Sequence, residues 1–228
     1  MSFVHFIKSI TNSSLAAMLV LTLAFAAFLV LEPTVGRSAV DTFEITQTIT
    51  DETSFAVASN DVTMSPQNIA GLTGGRASGS TTVRVRTSNS IGYNMTIVFS
   101  STTAMTRDGG GGNIRNYNPT TINVPDYAFG SEVFGQFAYT VIASTSGDLN
   151  TSFRDSGAAC NAGSNNTAST CWLNPSTTAK QVILTSAYTQ SSGSTSTIAF
   201  RVDIPSNPVP SISEGVYTAT ATLTAINN

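Results

Sequence analysis

The sequence is poor in the groups that do chemistry. Its only histidine is His5, its only tryptophan is Trp172, and its only lysines are Lys8 and Lys180. Charged residues make up 10% of the chain, against about 25% in an ordinary soluble domain. With no histidine after residue 5, the rest of the chain holds no Ser-His-Asp or Cys-His arrangement and no histidine metal site. A Ser-Lys dyad would have to use Lys180, and nothing around it singles out a serine. The formal net charge of -3 and the single lysine beyond the first forty residues argue against a nucleic-acid partner. The acids are scattered, and the adjacent Asp51 and Glu52 sit beside an apparent turn. They read as solvated loop acids, not as a paired-carboxylate site. No Asp-x-Asp-x-Asp-Gly calcium loop is present. "RDGGGGNIRN" lacks the Gly-Lys-Ser/Thr ending of a phosphate-cradling loop and reads as a flexible hairpin loop. No cofactor is implied, no metal site is expected, and catalysis is not expected.

What is present is hydroxyl groups, one long apolar run and period-2 alternation. Serine and threonine make up more than a quarter of the chain. "LAAMLVLTLAFAAFLVL" runs from Leu15 to Leu31 with Thr22 as its one polar residue. Lys8 precedes it and Glu32-Pro33 ends it. Its length lies between a secretory h-region and a spanning helix of about 17–25 residues. Residues 1–40 therefore read as a signal peptide or an N-terminal membrane anchor. The positive end stays inside and the remainder is exported, cell-surface bound or secreted after cleavage. The membrane is the expected partner if the leader is retained. In an exported chain, Cys160 and Cys171 read as a disulfide closing one loop. Asn94, Asn150 and Asn165 match the glycosylation sequon, as chance allows in so Ser/Thr/Asn-rich a chain.

Residues 41–228 alternate as half-buried strands do. "FEITQTIT" places Phe43, Ile45 and Ile49 on one face. "TTVRVRTS" sets Val83, Val85 and Thr87 against Arg84 and Arg86. "YNMTIVFS" groups Tyr93, Met95, Ile97 and Phe99. "IAFRVDIP" groups Ile198, Phe200, Val202 and Ile204, with Arg201 and Asp203 outward. "FAYTVIAS" and "AKQVILTS" are further strands. The closing stretch puts Tyr217, Ala219, Ala221, Leu223 and Ala225 on an inner face, with threonines outward. "SNDVTMSPQN", "GLTGGRASGS", "SNSIGYN", "RDGGGGNIRNYNP" and "PSNPVPSISEG" punctuate these runs as turns and loops. No helical pattern persists after residue 41. The expected fold is all-β: an antiparallel, immunoglobulin-like β-sandwich, preceded by one N-terminal hydrophobic helix, with irregular insertions around 101–180.

"TVRVRTSNSIGYNMTI", "CWLNP", "IAFRVDIP" and "EGVYTATATLTA" together resemble a loose group of exported bacterial β-sandwich proteins of candidate-phyla type. The shared features are an Asn-rich turn with Gly-Tyr opening the next strand, and a Gly-x-Tyr-x-x-Thr final strand. The closing pattern is similar to that of spore-coat-U-like and WxL-type secreted proteins. The WxL motif itself is missing, since Leu173 directly follows Trp172, so wall binding by that route does not carry over. The resemblance implies an extracellular surface protein.

Three functions compete. One is an exported structural or interaction protein with a cell-surface glycan or protein as partner. The second is a carbohydrate-binding module, in which Trp172, and less directly Tyr117 and Tyr127, would offer aromatic faces to a sugar ring. The alternative for Trp172 is packing into the sandwich edge. The third is a pilin-like filament subunit assembled by strand exchange, which needs an open sheet edge and an unpaired strand.

Overall fold

A computed structural model describes residues 3–30, 42 and 44–228, with side chains from 14 to 27 in its first helix. The chain divides into two compact units, residues 1–48 and 49–228.

The first unit contains helix α1, Phe3–Val30. Its described side chains are all exposed, among them Leu15, Leu19, Leu23 and Phe25. The hydroxyl of Thr22 donates to the carbonyls of Met18 and Leu19 at 3.0 and 2.9 Å, which satisfies the run's one polar side chain within the helix itself. Among the described residues no helix is long and apolar enough to cross a membrane. The end of the apolar run, residues 28–31, lies outside the described side chains.

The second unit is a β-sandwich of ten strands: β1 (Thr53–Val57), β2 (Gly75–Thr87), β3 (Tyr93–Phe99), β4 (Met105–Arg107), β5 (Asn113–Asn116), β6 (Gln136–Ala143), β7 (Lys180–Leu184), β8 (Ser194–Ile204), β9 (Tyr217–Thr218) and β10 (Ala221–Asn227). Seven strands form one sheet in the order β1-β2-β8-β6-β5-β4-β9, and three form the other in the order β10-β3-β7. The alternation forecasts the inner faces correctly. Val83 and Val85 of β2, Phe137, Tyr139 and Val141 of β6, and Ile198 and Val202 of β8 share one core with Tyr93, Met95, Ile97 and Phe99 of β3 and Val182 and Ile183 of β7. Phe99 is central, with its ring centroid 6.1 Å from Phe137 and 5.4 Å from Tyr139. The Asn-rich turn after β2 also forms as read. Gly92 takes φ +85°, and a Cβ there would lie 2.5 Å from the Thr185 carbonyl oxygen, so the position needs glycine.

Four readings are corrected. First, residues 44–50 of "FEITQTIT" form no strand, and Ile45 and Ile49 are 82% and 86% exposed; Phe43 lies outside the described residues. Second, residues 75–80 of "GLTGGRASGS" are strand and pair with Ile204–Ala199 of β8. Their glycines serve close packing: a Cβ on Gly79 would lie 2.5 Å from Val62 Cγ1. Third, the sandwich is not wholly antiparallel, because β5 runs parallel to β6 through Arg115↔Gln136 and Asn116↔Phe137. Fourth, the closing stretch is not one covered inner strand. It leaves the large sheet after β9, which pairs with β4, and enters the small sheet as β10, which pairs with β3. There it is an edge strand, with Ala221 exposed and Leu223 and Ala225 only half-buried.

Candidate functional site

Cys160 and Cys171 are bonded, S–S 2.08 Å, with their Cα atoms 5.6 Å apart. The loop they close is organised by a group the sequence reading missed. Asp155 is fully buried, which contradicts its reading as a solvated loop acid. Its carboxylate accepts from the backbone N–H of Gly157 at 2.8 Å and of Thr167 at 3.0 Å, and from the Thr167 hydroxyl at 3.1 Å. Burial pushes its pKa up, but the donors of Thr167, Gly157 and Asn165 outweigh burial and hold it below the usual carboxylate value. The signal was legible: Asp-Ser-Gly at 155–157 is the pattern in which an aspartate caps the amide two residues on.

Trp172 follows the disulfide, and alternation decides its direction. Cys171 and Leu173 enter the main core, while Trp172 turns to the outer face of the large sheet. There it joins Tyr117, Ala138 and Phe129 in a second small core. The strand-like stretch is held by paired backbone bonds from Trp172 to Asp126 and from Leu173 to Tyr139. Trp172 is 3% exposed. Phe129 meets its ring at 5.6 Å, nearly perpendicular, and the Arg201 guanidinium lies 5.7 Å from it. The indole N–H donates to the Ser169 carbonyl at 3.1 Å. Its ring is packed within its own chain, so of the two roles read for it the structure places it in packing.

Tyr117 is also buried. Its ring packs tilted against Phe129 at 4.7 Å and its hydroxyl donates to Asp126 at 2.7 Å. Burial, reinforced by Asp126, raises its pKa to about 12. Tyr127 is half-buried in the same loop. Arg201, outward on β8 as expected, lies 4.0 Å over the Phe129 ring. Asp203 holds Arg201 and Arg76 together at 2.8 and 3.1 Å. The aromatic rings of the insertion therefore cover the outside of β6 and β8, with Arg201 of β8 packed among them.

Among the described residues no three His, Cys, Asp or Glu side chains gather as a metal site. Lys180 donates to the Asn123 carbonyl at 3.2 Å. The glycine-rich loop joins β4 to β5, closed by Arg107 N–H to Gly112 carbonyl at 3.0 Å, as a hairpin.

Among the described residues, one seam of the sandwich runs between the edge strands β1 and β10. One end is clasped. Asn227 donates to Asp51 at 2.8 Å and contacts the Thr53 hydroxyl, and Asn89 donates to Asp51 at 3.0 Å. Beside the clasp opens a cleft lined by Ile49, Thr50, Asp51, Ser88, Asn89 and Ser90. Beyond it, β10 is bare. Ser100 N–H donates to the Thr220 carbonyl and Asn228 N–H to the Gly92 carbonyl. In the β3–β10 register the even-numbered residues therefore carry the ladder. The N–H and C=O groups of Ala221, Leu223 and Ala225 point to the free edge, and among the described residues no strand pairs with them.

No family model and no curated protein matches the chain.

Proposed function

We propose that the chain is an exported cell-surface protein that acts through structure and contact, not through catalysis. The observation that carries this reading is the Cys160–Cys171 disulfide. A disulfide closing so short a loop supports an oxidising compartment, where such bonds form and persist. The apolar α1 with its self-satisfied Thr22 supports export. The large share of Ser and Thr supports a surface solvated by hydroxyls. The sandwich together with the Gly-Tyr turn also supports membership of the immunoglobulin-like exported group named above. The carbohydrate-binding reading draws little from the aromatics, because Trp172 and Tyr117 are spent in packing.

The test is fractionation of cells that make the protein, with intact-mass analysis before and after reduction. The expected result is a membrane or extracellular protein with no alkylable thiol until reduced. A cytoplasmic protein with two free thiols overturns the reading. The mass also decides whether the leader is cleaved.

A further inference from the structure

We propose that the open edge of β10 is completed by an extended strand from a second copy of this chain, formed by residues 45–49. This deepens the surface-protein reading by naming the partner, and it rests on that reading only for where the assembly forms.

Both halves of the contact are present. The acceptor is Ala221–Ala225, a five-residue edge with unpaired backbone groups. Its inward-phase residues are under-covered: Ala221 is exposed, and Leu223 and Ala225 are half-buried against the core. Across the seam, Phe55 of β1 and Met64 are likewise only partly buried against that core. The donor is Ile45-Thr46-Gln47-Thr48-Ile49, β-prone in composition, yet unpaired and exposed at both isoleucines. Isoleucine, exposed here as few isoleucines are, has no structural use where it stands.

The two segments fit in length and in volume. Aligned on each other, Ile45 and Ile49 meet Ala221 and Ala225, large over small, with Gln47 at Leu223. This holds for either strand direction. Residues opposite each other in paired strands share a face and touch, so each isoleucine would cover the space beside a small alanine. The threonines at 46 and 48 then face outward beside the exposed Thr222 and Thr224. Backbone pairing supplies affinity and the two isoleucines supply register. Free edges of this kind invite such pairing unless blocked by charge, proline or a bulge, and Ala221–Ala225 carries none of these.

The experiment uses the full chain in a mild non-ionic detergent, with its native disulfide intact. Chains carrying Ile45→Cys are mixed with chains carrying Ala221→Cys, Ala225→Cys or Thr222→Cys and gently oxidised. The expected result is a covalent heterodimer through Ala221→Cys or Ala225→Cys, and several-fold less through Thr222→Cys, whose side chain faces the other way. Ile45→Asp with Ile49→Asp, at positions 82% and 86% exposed, should reduce the assembled wild type to monomers by light scattering, with the melting temperature of the sandwich unchanged. No covalent dimer, or equal yields at 221 and 222, overturns the proposal. So does an intrachain bond in a single chain bearing Ile45→Cys and Ala221→Cys, because the arm then fills its own seam. None of these outcomes bears on cellular location, so this proposal and the surface-protein reading fail separately.

Discussion

Strands β6 and β10 are alike in sequence character: eight and seven residues, both uncharged. Their environments differ. Seven of the eight residues of β6 are buried and none of the seven in β10. The reason is what lies on either side. The inner face of β6 packs on β3, and its outer face is roofed by Trp172, Phe129 and Tyr117. Among the described residues β10 pairs with one strand, β3. Coverage, not pattern, decides where this domain keeps its stability and where it keeps surface to spare.

The comparison breaks most sharply at Tyr139, which is buried at the centre of β6 and packs on Phe99 and Phe153. Tyr139→Ala should cost about 3–5 kcal/mol, read as a lowered denaturation midpoint. A loss below about 1 kcal/mol would show that β6 is not the locked strand.

Next comes Asp155. Asp155→Ala strands the donors of Gly157 and Thr167 and should cost about 3 kcal/mol. The sign of its pH dependence follows from its lowered pKa. Its contribution is fully present above the unfolded value of about 3.9 and is lost as pH falls through the folded value. The wild type should therefore lose stability on acidification below about pH 4 more steeply than Asp155→Asn. Parallel acid profiles would contradict this.

The smallest effects belong to β10. Leu223→Ala should cost about 1–2 kcal/mol, since half the side chain is already in water. Ala221→Asp should change stability by no more than about 0.5 kcal/mol, as at an ordinary surface site. Thermal melts of the monomer check both. A large loss in Ala221→Asp would mean the seam is closed within one chain.

Much of the sandwich was legible because alternation reports which face a strand buries. Tyr93-Met95-Ile97-Phe99 and Ile198-Phe200-Val202-Ile204 point where the pattern puts them. Alternation is silent about what lies opposite. Ala221 carries the inward phase of β10 yet is exposed, and Ile45 carries a strand-like pattern yet lies in no strand. Short pieces such as β4 and β9, of three and two residues, hold too few positions to show a period. Gly75–Ser80 hid as a loop because its glycines answer the close packing of Val62 and Ile69, not a propensity. The disulfide was legible from the isolation and close spacing of the only two cysteines. Of the Asp155 knot only the local turn to Gly157 was legible, because Asn165 and Thr167 reach Asp155 only once the loop is folded.

The most direct measurement is residue-resolved amide hydrogen exchange on the full chain, comparing the Ile45→Asp, Ile49→Asp monomer with the wild type. The account predicts slow exchange throughout β6 in both. In the monomer, Leu223 and Ala225 should exchange fast beside slow Thr222 and Thr224, and in the assembled wild type all four should be slow. Equal protection of the four amides in the monomer would contradict an open edge, and with it the division between a locked strand and a spare one.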